Sequence, residues 1–124
     1  MCQVYTQLAQ EIIGPWPLAG PSRFIAKQAL LDNTWQAKMR QQLALNSEQL
    51  KQLLTQYGLC PNGGTALFQT VKTPQAGCIQ QALAKHGVWV RLFAESNVLR
   101  FGLPQDGGWQ QLEQALELEQ HLMG

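Results

Sequence analysis

The chain has 124 residues and a mass of 13.8 kDa, which is enough for one ordinary domain with a single packed core. A net charge of +1 and a pI near 7.7 give no electrostatic reason to expect nucleic acid or an anionic membrane as a partner. No apolar stretch approaches the roughly 18 residues that cross a bilayer, and the N-terminus lacks the order of a signal peptide, so no membrane is expected.

The cysteines and histidines exclude two further classes of protein. Cys2, Cys60 and Cys78 are too few and too far apart for a disulfide framework, and they form no Cys-x-x-Cys pair. A reducing, cytoplasmic location is therefore the expectation. His86 and His121 stand apart in the sequence, so no metal site is predicted.

The first half of the chain is predicted to be helical. Residues 2–13 carry apolar side chains at helical spacing, and Gly14-Pro15-Trp16-Pro17 ends that helix because proline lacks a backbone donor. A second helix opens at Gly20-Pro21-Ser22, where proline is tolerated in the first turn. Its predicted apolar face consists of Phe24, Ile25, Ala29, Leu30 and Leu31.

Asp32-Asn33 is predicted to cap a third helix, which ends at Gly58. Gln36 follows Asn33 by three residues, the spacing of a capping box in which the glutamine side chain reaches back to the start of the helix. Asn46-Ser47 either interrupts this helix and caps it again or lies within it, and the local sequence leaves both alternatives open.

The second half alternates strands with helices. Cys60-Pro61-Asn62-Gly63-Gly64 forms a turn that leads into a strand over residues 65–71, so a phosphate-cradling loop is not indicated. A helix over residues 74–85 follows. Gly87 is its left-handed cap, and His86 is expected to interact with the free carbonyls at its end instead of having a catalytic role.

Residues 88–104 are predicted to form two short strands joined by a polar turn, since apolar side chains recur with a period of two. Asp106 is expected to cap a final helix. The element order is three helices followed by strand-helix-strand-strand-helix. This order predicts an α+β domain with a small three-stranded sheet that helices cover on one face.

Each of the two strands in residues 88–104 carries one arginine, Arg91 and Arg100, among apolar neighbours. Two guanidinium groups in such a place could bind a carboxylate or a phosphate through paired hydrogen bonds. The alternative is that both are surface arginines without a ligand. No nucleophile with a partnered base and no pair of facing carboxylates is evident, so the residues predict an anion clamp and no reactive centre.

The chain also contains five separated motifs in a fixed order. They are Gly14-Pro15-Trp16-Pro17, Ala29-Leu30-Leu31-Asp32-Asn33-Thr34-Trp35, Gly63-Gly64-Thr65-Ala66-Leu67-Phe68, Gly87-Val88-Trp89-Val90-Arg91-Leu92-Phe93 and Leu99-Arg100-Phe101-Gly102-Leu103-Pro104. Together, from Gly14 onward, they resemble the C-terminal part of the threonine-phosphate decarboxylase family. This family belongs to the fold-type-I pyridoxal-phosphate enzymes and is close to histidinol-phosphate aminotransferase.

The resemblance implies that residues 1–20 are a helix and an interdomain crossover segment, and that residues 21–124 are the small domain of such an enzyme. The large domain, which in the family carries the Schiff-base lysine and most cofactor contacts, is expected to be absent. None of the lysines matches the family's lysine motif; they are Lys27, Lys38, Lys51, Lys72 and Lys85. The full-length enzyme would use pyridoxal 5'-phosphate, whereas these 124 residues alone are expected to bind no cofactor and to be inactive.

The resemblance also implies roles for three residues. Arg100 matches the family arginine that binds the substrate's α-carboxylate, and Arg91 matches one that helps bind the substrate phosphate. Trp16 matches the crossover segment near the substrate, where it either packs against the protein or contacts the substrate. The implied activity is decarboxylation of L-threonine O-3-phosphate in cobalamin biosynthesis, with no catalytic, cofactor-binding or metal-binding residue in this chain.

Two alternatives stay open, namely the small domain of a histidinol-phosphate-type aminotransferase and a stand-alone interaction module that retains the fold. The implied partners are a small phosphorylated amino acid, the large domain and a possible second copy in a homodimer. An exposed apolar surface is expected around Trp16 and the first helix, because the large domain would normally cover it.

Overall fold

A computed structural model describes residues 18–123 of the chain. The first predicted helix and Trp16 therefore lie outside the described residues. The chain divides into two compact units, Met1–Lys38 and Met39–Gly124. The predicted division at residue 20, between a crossover segment and a small domain, stays a prediction.

Helix α1 is Gly20–Leu31 and has proline in its first turn, as predicted. Its apolar face exists but is not buried: Phe24 is 67% exposed and Leu30 is 74% exposed. Ile25 and Leu31 are also mostly exposed. The exposed apolar surface expected around Trp16 and the first predicted helix lies outside the described residues and stays a prediction.

Helix α2 is Asn33–Gln56. Asp32 caps it, as predicted for Asp32-Asn33, but Gln36 does not complete the predicted capping box. The Asp32 carboxylate oxygen Oδ1 accepts a hydrogen bond of 2.8 Å from the Trp35 amide and caps the helix. The Gln36 side chain instead donates to the carbonyls of Ala29 (3.3 Å) and Leu30 (2.8 Å) at the end of α1. The capping-box prediction was wrong because the adjacent helix end offers carbonyls that have no partner within their own helix.

Helix α2 continues through Asn46-Ser47, which settles the alternative that the sequence left open. Ser47 does not cap a new helix, since its hydroxyl is buried and donates a 2.8 Å hydrogen bond to the Thr65 carbonyl. The helix ends at Gly58 as predicted. Gly58 has a φ of +83°, and the Leu59 amide donates to the Leu54 carbonyl at 2.9 Å, which is the pattern of a Schellman cap.

The predicted strand over residues 65–71 is instead a hairpin of β1, Gly63–Thr65, and β2, Phe68–Lys72. Thr65 pairs with Phe68, and the chain reverses at Ala66-Leu67. The Thr65 hydroxyl accepts a 3.1 Å hydrogen bond from the Leu67 amide, a local contact that favours a turn. The prediction missed this turn because it contains no glycine, asparagine or proline.

The sheet has four antiparallel strands in the order β1-β2-β4-β3, so the predicted count of three strands was one too low. The α+β class is confirmed. Strand β3 is Arg91–Phe93 and β4 is Val98–Gly102, joined by a 3-10 turn over Ala94–Ser96 and by Asn97 in the left-handed conformation.

Helix α3, Ala76–Lys85, precedes β3 and ends as predicted at Gly87, whose φ is +76°. Helix α4, Gly108–Leu118, follows β4, but Asp106 does not cap it. Gly107 takes the N-cap position in a left-handed conformation without a side-chain cap. The aspartate is therefore one residue too early to reach the free amides of the first turn.

One face of the sheet packs on helices and forms the core of the unit Met39–Gly124. Leu99 and Phe101 of β4 and Val71 of β2 are almost completely buried on this face. They belong to one apolar cluster with side chains of α2, α3 and α4, which include Leu50, Leu54, Ile79, Leu83, Leu112 and Leu116. The alternate residues of the same strands form the other face, which we call the open face, with Arg100 half-buried and Lys72 exposed.

The side chain of His86 contacts Glu119. The prediction that His86 would interact with the free carbonyls at the end of its own helix was wrong. His86 Nε2 lies 2.9 Å from Glu119 Oε1. This contact connects the end of α3 to the end of α4. The hydrogen bond with His86 is the main cause that holds the pKa of Glu119 below its ordinary value, and His121 and Lys85 act in the same direction.

We expect Glu119→Gln to destabilise the chain near neutral pH and to have less effect in acid. A carboxyl group with a lowered folded-state pKa stabilises the fold above its ordinary pKa, and the contribution is lost as pH falls through the lowered value. Urea unfolding of the wild type and the variant at about pH 6.5 and about pH 3 measures the difference. His86→Ala should show the same pH dependence. If the wild type and the variant differed in unfolding free energy by the same amount at both pH values, the stabilising role of the His86–Glu119 pair would be contradicted.

Three further observations bear on function. None of the helices within residues 18–123 is long and apolar enough to span a membrane. In the same range, no three side chains of His, Cys, Asp or Glu are grouped so as to hold a metal ion. Cys60 and Cys78 are exposed free thiols.

Candidate anion-binding site

The structure brings the two predicted site residues directly opposite each other. In the antiparallel pairing of β3 with β4, Arg91 is the partner of Arg100, and Leu92 is the partner of Leu99. Leu99 belongs to the core face. Because side chains alternate along a strand, both arginines lie on the open face. Their Cα atoms are separated by about 4.5–5.5 Å, the usual distance of such a pair.

Like charges in directly opposed positions of a sheet repel each other. Within residues 18–123, neither guanidinium forms an ion pair or a hydrogen bond with another side chain, and Glu95 in the connecting turn pairs with neither. An anion placed between the two groups would turn this repulsion into attraction and could accept the paired hydrogen bonds of a guanidinium fork. The geometry therefore suits a ligand with one or two anionic groups.

Two phenylalanine rings flank the arginines. The Arg100 Cζ atom lies 5.2 Å from the centre of the Phe68 ring and 6.0 Å from that of Phe93. The Arg91 Cζ atom lies 5.1 Å from the same Phe93 ring. These distances lie within the range of cation–π interactions, which extends to about 6 Å. The ring of Phe93 is thus shared by the two guanidinium groups.

On the open face, Arg91 and Arg100 lie in one row of paired residues across the strands. This row continues onto β2, where Thr70 is the partner of Arg100. A half-buried hydroxyl thus stands beside the half-buried arginine, while Arg91 is exposed at the edge strand. Arg100 is therefore the more constrained of the two, since strands pair with it on both sides. Trp16, the third predicted site residue, lies outside the described residues.

Phe68, Thr70 and Phe93 are neighbours of the arginines that the sequence pattern did not indicate. A local signal existed for Phe93, because it follows Arg91 by two residues in a strand and so shares its face. No local signal existed for Phe68 and Thr70, because only the register of β2 on β4 places them beside Arg100.

An apolar cleft lies apart from the arginine pair. It has a volume of about 230 Å³ and lies where the chain before β3 and the chain after β4 diverge. Its lining includes Trp89, Leu103 and Gln111 but no charged residue. Trp89 is 80% exposed. The cleft is not suited to an anion, so the arginine pair is the candidate site.

The fold and the site define an α+β domain that presents two opposed arginines, flanked by aromatic rings, on the open face of its sheet. No family model matches the chain. Over 111 residues, the chain is 39% identical to threonine-phosphate decarboxylase of Pseudomonas aeruginosa. The similarity covers 89% of this chain and 34% of that enzyme, so the chain spans about a third of its relative's length. The resemblance inferred from the five motifs is confirmed.

Proposed function

We propose that this chain is the substrate-binding small domain of a pyridoxal-phosphate-dependent decarboxylase that acts on L-threonine O-3-phosphate. The observation that carries the proposal is the opposed pair Arg91 and Arg100 on the open face. The similarity to a threonine-phosphate decarboxylase supports the substrate class, because threonine phosphate carries a carboxylate and a phosphate. The same proposal includes a cytoplasmic location of the enzyme and a function in cobalamin biosynthesis.

In this proposal, Arg100 binds the α-carboxylate and Arg91 binds the phosphate. Arg100 lies on an inner strand and is half-buried, so its guanidinium can hold a carboxylate in one orientation. Orientation matters because a bound pyridoxal phosphate would supply an electron sink, and the protein would contribute the fixed position of the carboxylate. Arg91 lies on the edge strand and is exposed, which leaves room for the bulkier phosphate.

In this proposal, the chain by itself holds no pyridoxal phosphate, and the placement of its lysines supports this. All five lysines are exposed; they are Lys27, Lys38, Lys51, Lys72 and Lys85. A lysine that forms a Schiff base is usually activated by desolvation or by a neighbouring cation in a pocket. The proposal therefore assigns the cofactor, and the electron sink it supplies, to a large domain outside these residues. It assigns binding and orientation of the substrate to this chain.

The test uses the protein made from the complete reading frame that contains these 124 residues. Purified with pyridoxal phosphate, it should release carbon dioxide from L-threonine O-3-phosphate. Transfer of the amino group to a keto acid without carbon dioxide release would identify an aminotransferase. No reaction with any phosphorylated amino acid would favour an interaction module. The 124 residues alone serve as a control, and a stable Schiff-base absorbance in that control would contradict the assignment of the cofactor.

We expect Arg91→Ala to weaken binding of phosphorylated substrates selectively in the full-length protein. A charge-assisted hydrogen bond contributes about 1.5–3 kcal/mol, so KM for L-threonine O-3-phosphate should rise about 10- to 100-fold. The inhibition constant of unphosphorylated L-threonine should change little, since that ligand lacks the group that Arg91 would bind. Steady-state kinetics with both compounds measure the difference. An equal loss for both compounds would remove Arg91 from the phosphate site.

A further inference from the structure

We infer that Phe93 is a positioning residue that holds both guanidinium groups of the arginine pair and so sets their spacing for a ligand with two anionic groups. This inference rests on the proposed function and deepens it. The observation behind it is the position of one aromatic ring within cation–π distance of two arginines, 5.1 Å from Arg91 Cζ and 6.0 Å from Arg100 Cζ.

The strand register explains how one ring reaches both groups. Phe93 shares the open face with Arg91, two residues earlier in β3, and its partner in β4 is Val98. Arg100 is two residues beyond Val98, so it is the diagonal neighbour of Phe93 across the strand pair. Diagonal neighbours lie within reach of aromatic side chains. Phe93 is the residue of β3 that contacts both cations in this way.

The Phe93 ring can offset the repulsion between the two guanidinium groups. Two opposed guanidinium groups repel each other and would turn apart in the absence of a ligand. The negatively polarised face of an aromatic ring attracts both cations without neutralising them, so they stay close together and remain available to an anion. A carboxylate partner would also keep them together, but it would compete with the ligand for their hydrogen bonds.

Burial separates Phe93 from the packing residues. Phe101, which lies in the core, is 1% exposed, whereas Phe93 is 38% exposed. Replacement of Phe93 therefore removes little core packing. Phe68 provides the matched comparison, because its ring contacts Arg100 at 5.2 Å and no contact with Arg91 is found within the described residues.

The experiment compares Phe93→Leu with Phe68→Leu in the full-length protein. Leucine keeps apolar volume and removes the ring. The measured quantities are KM for L-threonine O-3-phosphate and the inhibition constant of L-threonine, which shares the carboxylate and lacks the phosphate. Phe93→Leu should raise KM about 5- to 30-fold, since two cation–π interactions are lost. It should raise the inhibition constant of L-threonine less, because only the contact with Arg100 affects that ligand.

Phe68→Leu should raise both constants by a similar factor of about 2 to 5, because one cation–π interaction with the carboxylate-binding arginine is lost. Phe93→Tyr keeps the ring and should restore KM to within about twofold of the wild type. Purely structural effects would shift the thermal unfolding midpoint without changing the ratio of the two constants.

The outcomes separate the inference from the proposed function. If Arg91→Ala and Arg100→Ala raise KM but Phe93→Leu does not, or if Phe93→Leu changes both constants equally, the positioning role of Phe93 is overturned and the function stands. If neither arginine variant changes KM, the proposed function and this inference fail together.

Discussion

Arg100→Ala should lower kcat/KM for L-threonine O-3-phosphate by about 100- to 10,000-fold in the full-length protein, while the cofactor remains bound. The proposal gives the Arg100 guanidinium two hydrogen bonds to the substrate carboxylate, and each such charge-assisted bond contributes about 1.5–3 kcal/mol. About 1.4 kcal/mol corresponds to a factor of ten in rate. Steady-state kinetics measure the loss, and the absorbance of the cofactor shows whether the variant still binds it.

Lys72→Ala is the matched control for this prediction. Lys72 is an exposed cation at the end of β2, where it pairs with Val98 next to the row that contains Arg100. If general positive charge attracts the substrate, both substitutions should lower kcat/KM to a similar extent. If the planar fork of Arg100 binds the carboxylate, Lys72→Ala should change kcat/KM by less than about threefold. Unchanged turnover in Arg100→Ala would remove Arg100 from the site.

Phe101→Ala should reduce the free energy of unfolding of the 124-residue chain by about 3–5 kcal/mol, the usual range for truncation of a buried phenylalanine. Phe101 is 1% exposed and lies on β4 next to Arg100, on the core face. Its removal leaves a cavity among leucines of α2, α3 and α4. Since a domain is stable by only about 5–15 kcal/mol, this loss would leave little stability. Urea unfolding followed by circular dichroism measures it.

Val98→Ala provides the comparison on the same strand. Val98 is half-buried on the open face, so its truncation should cost less than about 1 kcal/mol. The contrast tests the assignment of the two faces, on which the whole site depends. Similar losses for both variants would mean that the open face is packed, and the arginines would then not be available to a ligand.

Local features predicted most of the elements of this fold. Gly58 and Gly87 end helices as expected because both adopt a left-handed conformation that glycine tolerates. Two of the predictions that failed, the unbroken strand over residues 65–71 and the role of His86, involve a partner that is far away in the chain. The hairpin turn at Ala66-Leu67 has no typical turn residue, and the strand that precedes it is held to α2 by the hydrogen bond of Ser47 with the Thr65 carbonyl. Glu119, the partner of His86, is 33 residues away in the chain.

In the candidate site, too, local sequence predicted some features, and residues far apart in the chain determined the others. Sequence alone identified Arg91 and Arg100 as unusual charges in apolar strands, and the resemblance to decarboxylases suggested a carboxylate and a phosphate as their ligands. Periodicity of two is a property of each strand by itself, so it can place a side chain on a face. It cannot say which residue stands opposite, because register depends on turn geometry and on the packing of the core face.

The sequence by itself determined the α+β class, the helix ends, the two arginines and the similarity to a threonine-phosphate decarboxylase. Only the tertiary structure decided that Arg91 stands directly opposite Arg100, that Phe93 reaches both, and that Phe68 and Thr70 belong to the same surface. The physical reason is that burial of Leu99, Phe101 and Val71 against the helices selects one register, and that register brings together side chains that are far apart in the chain.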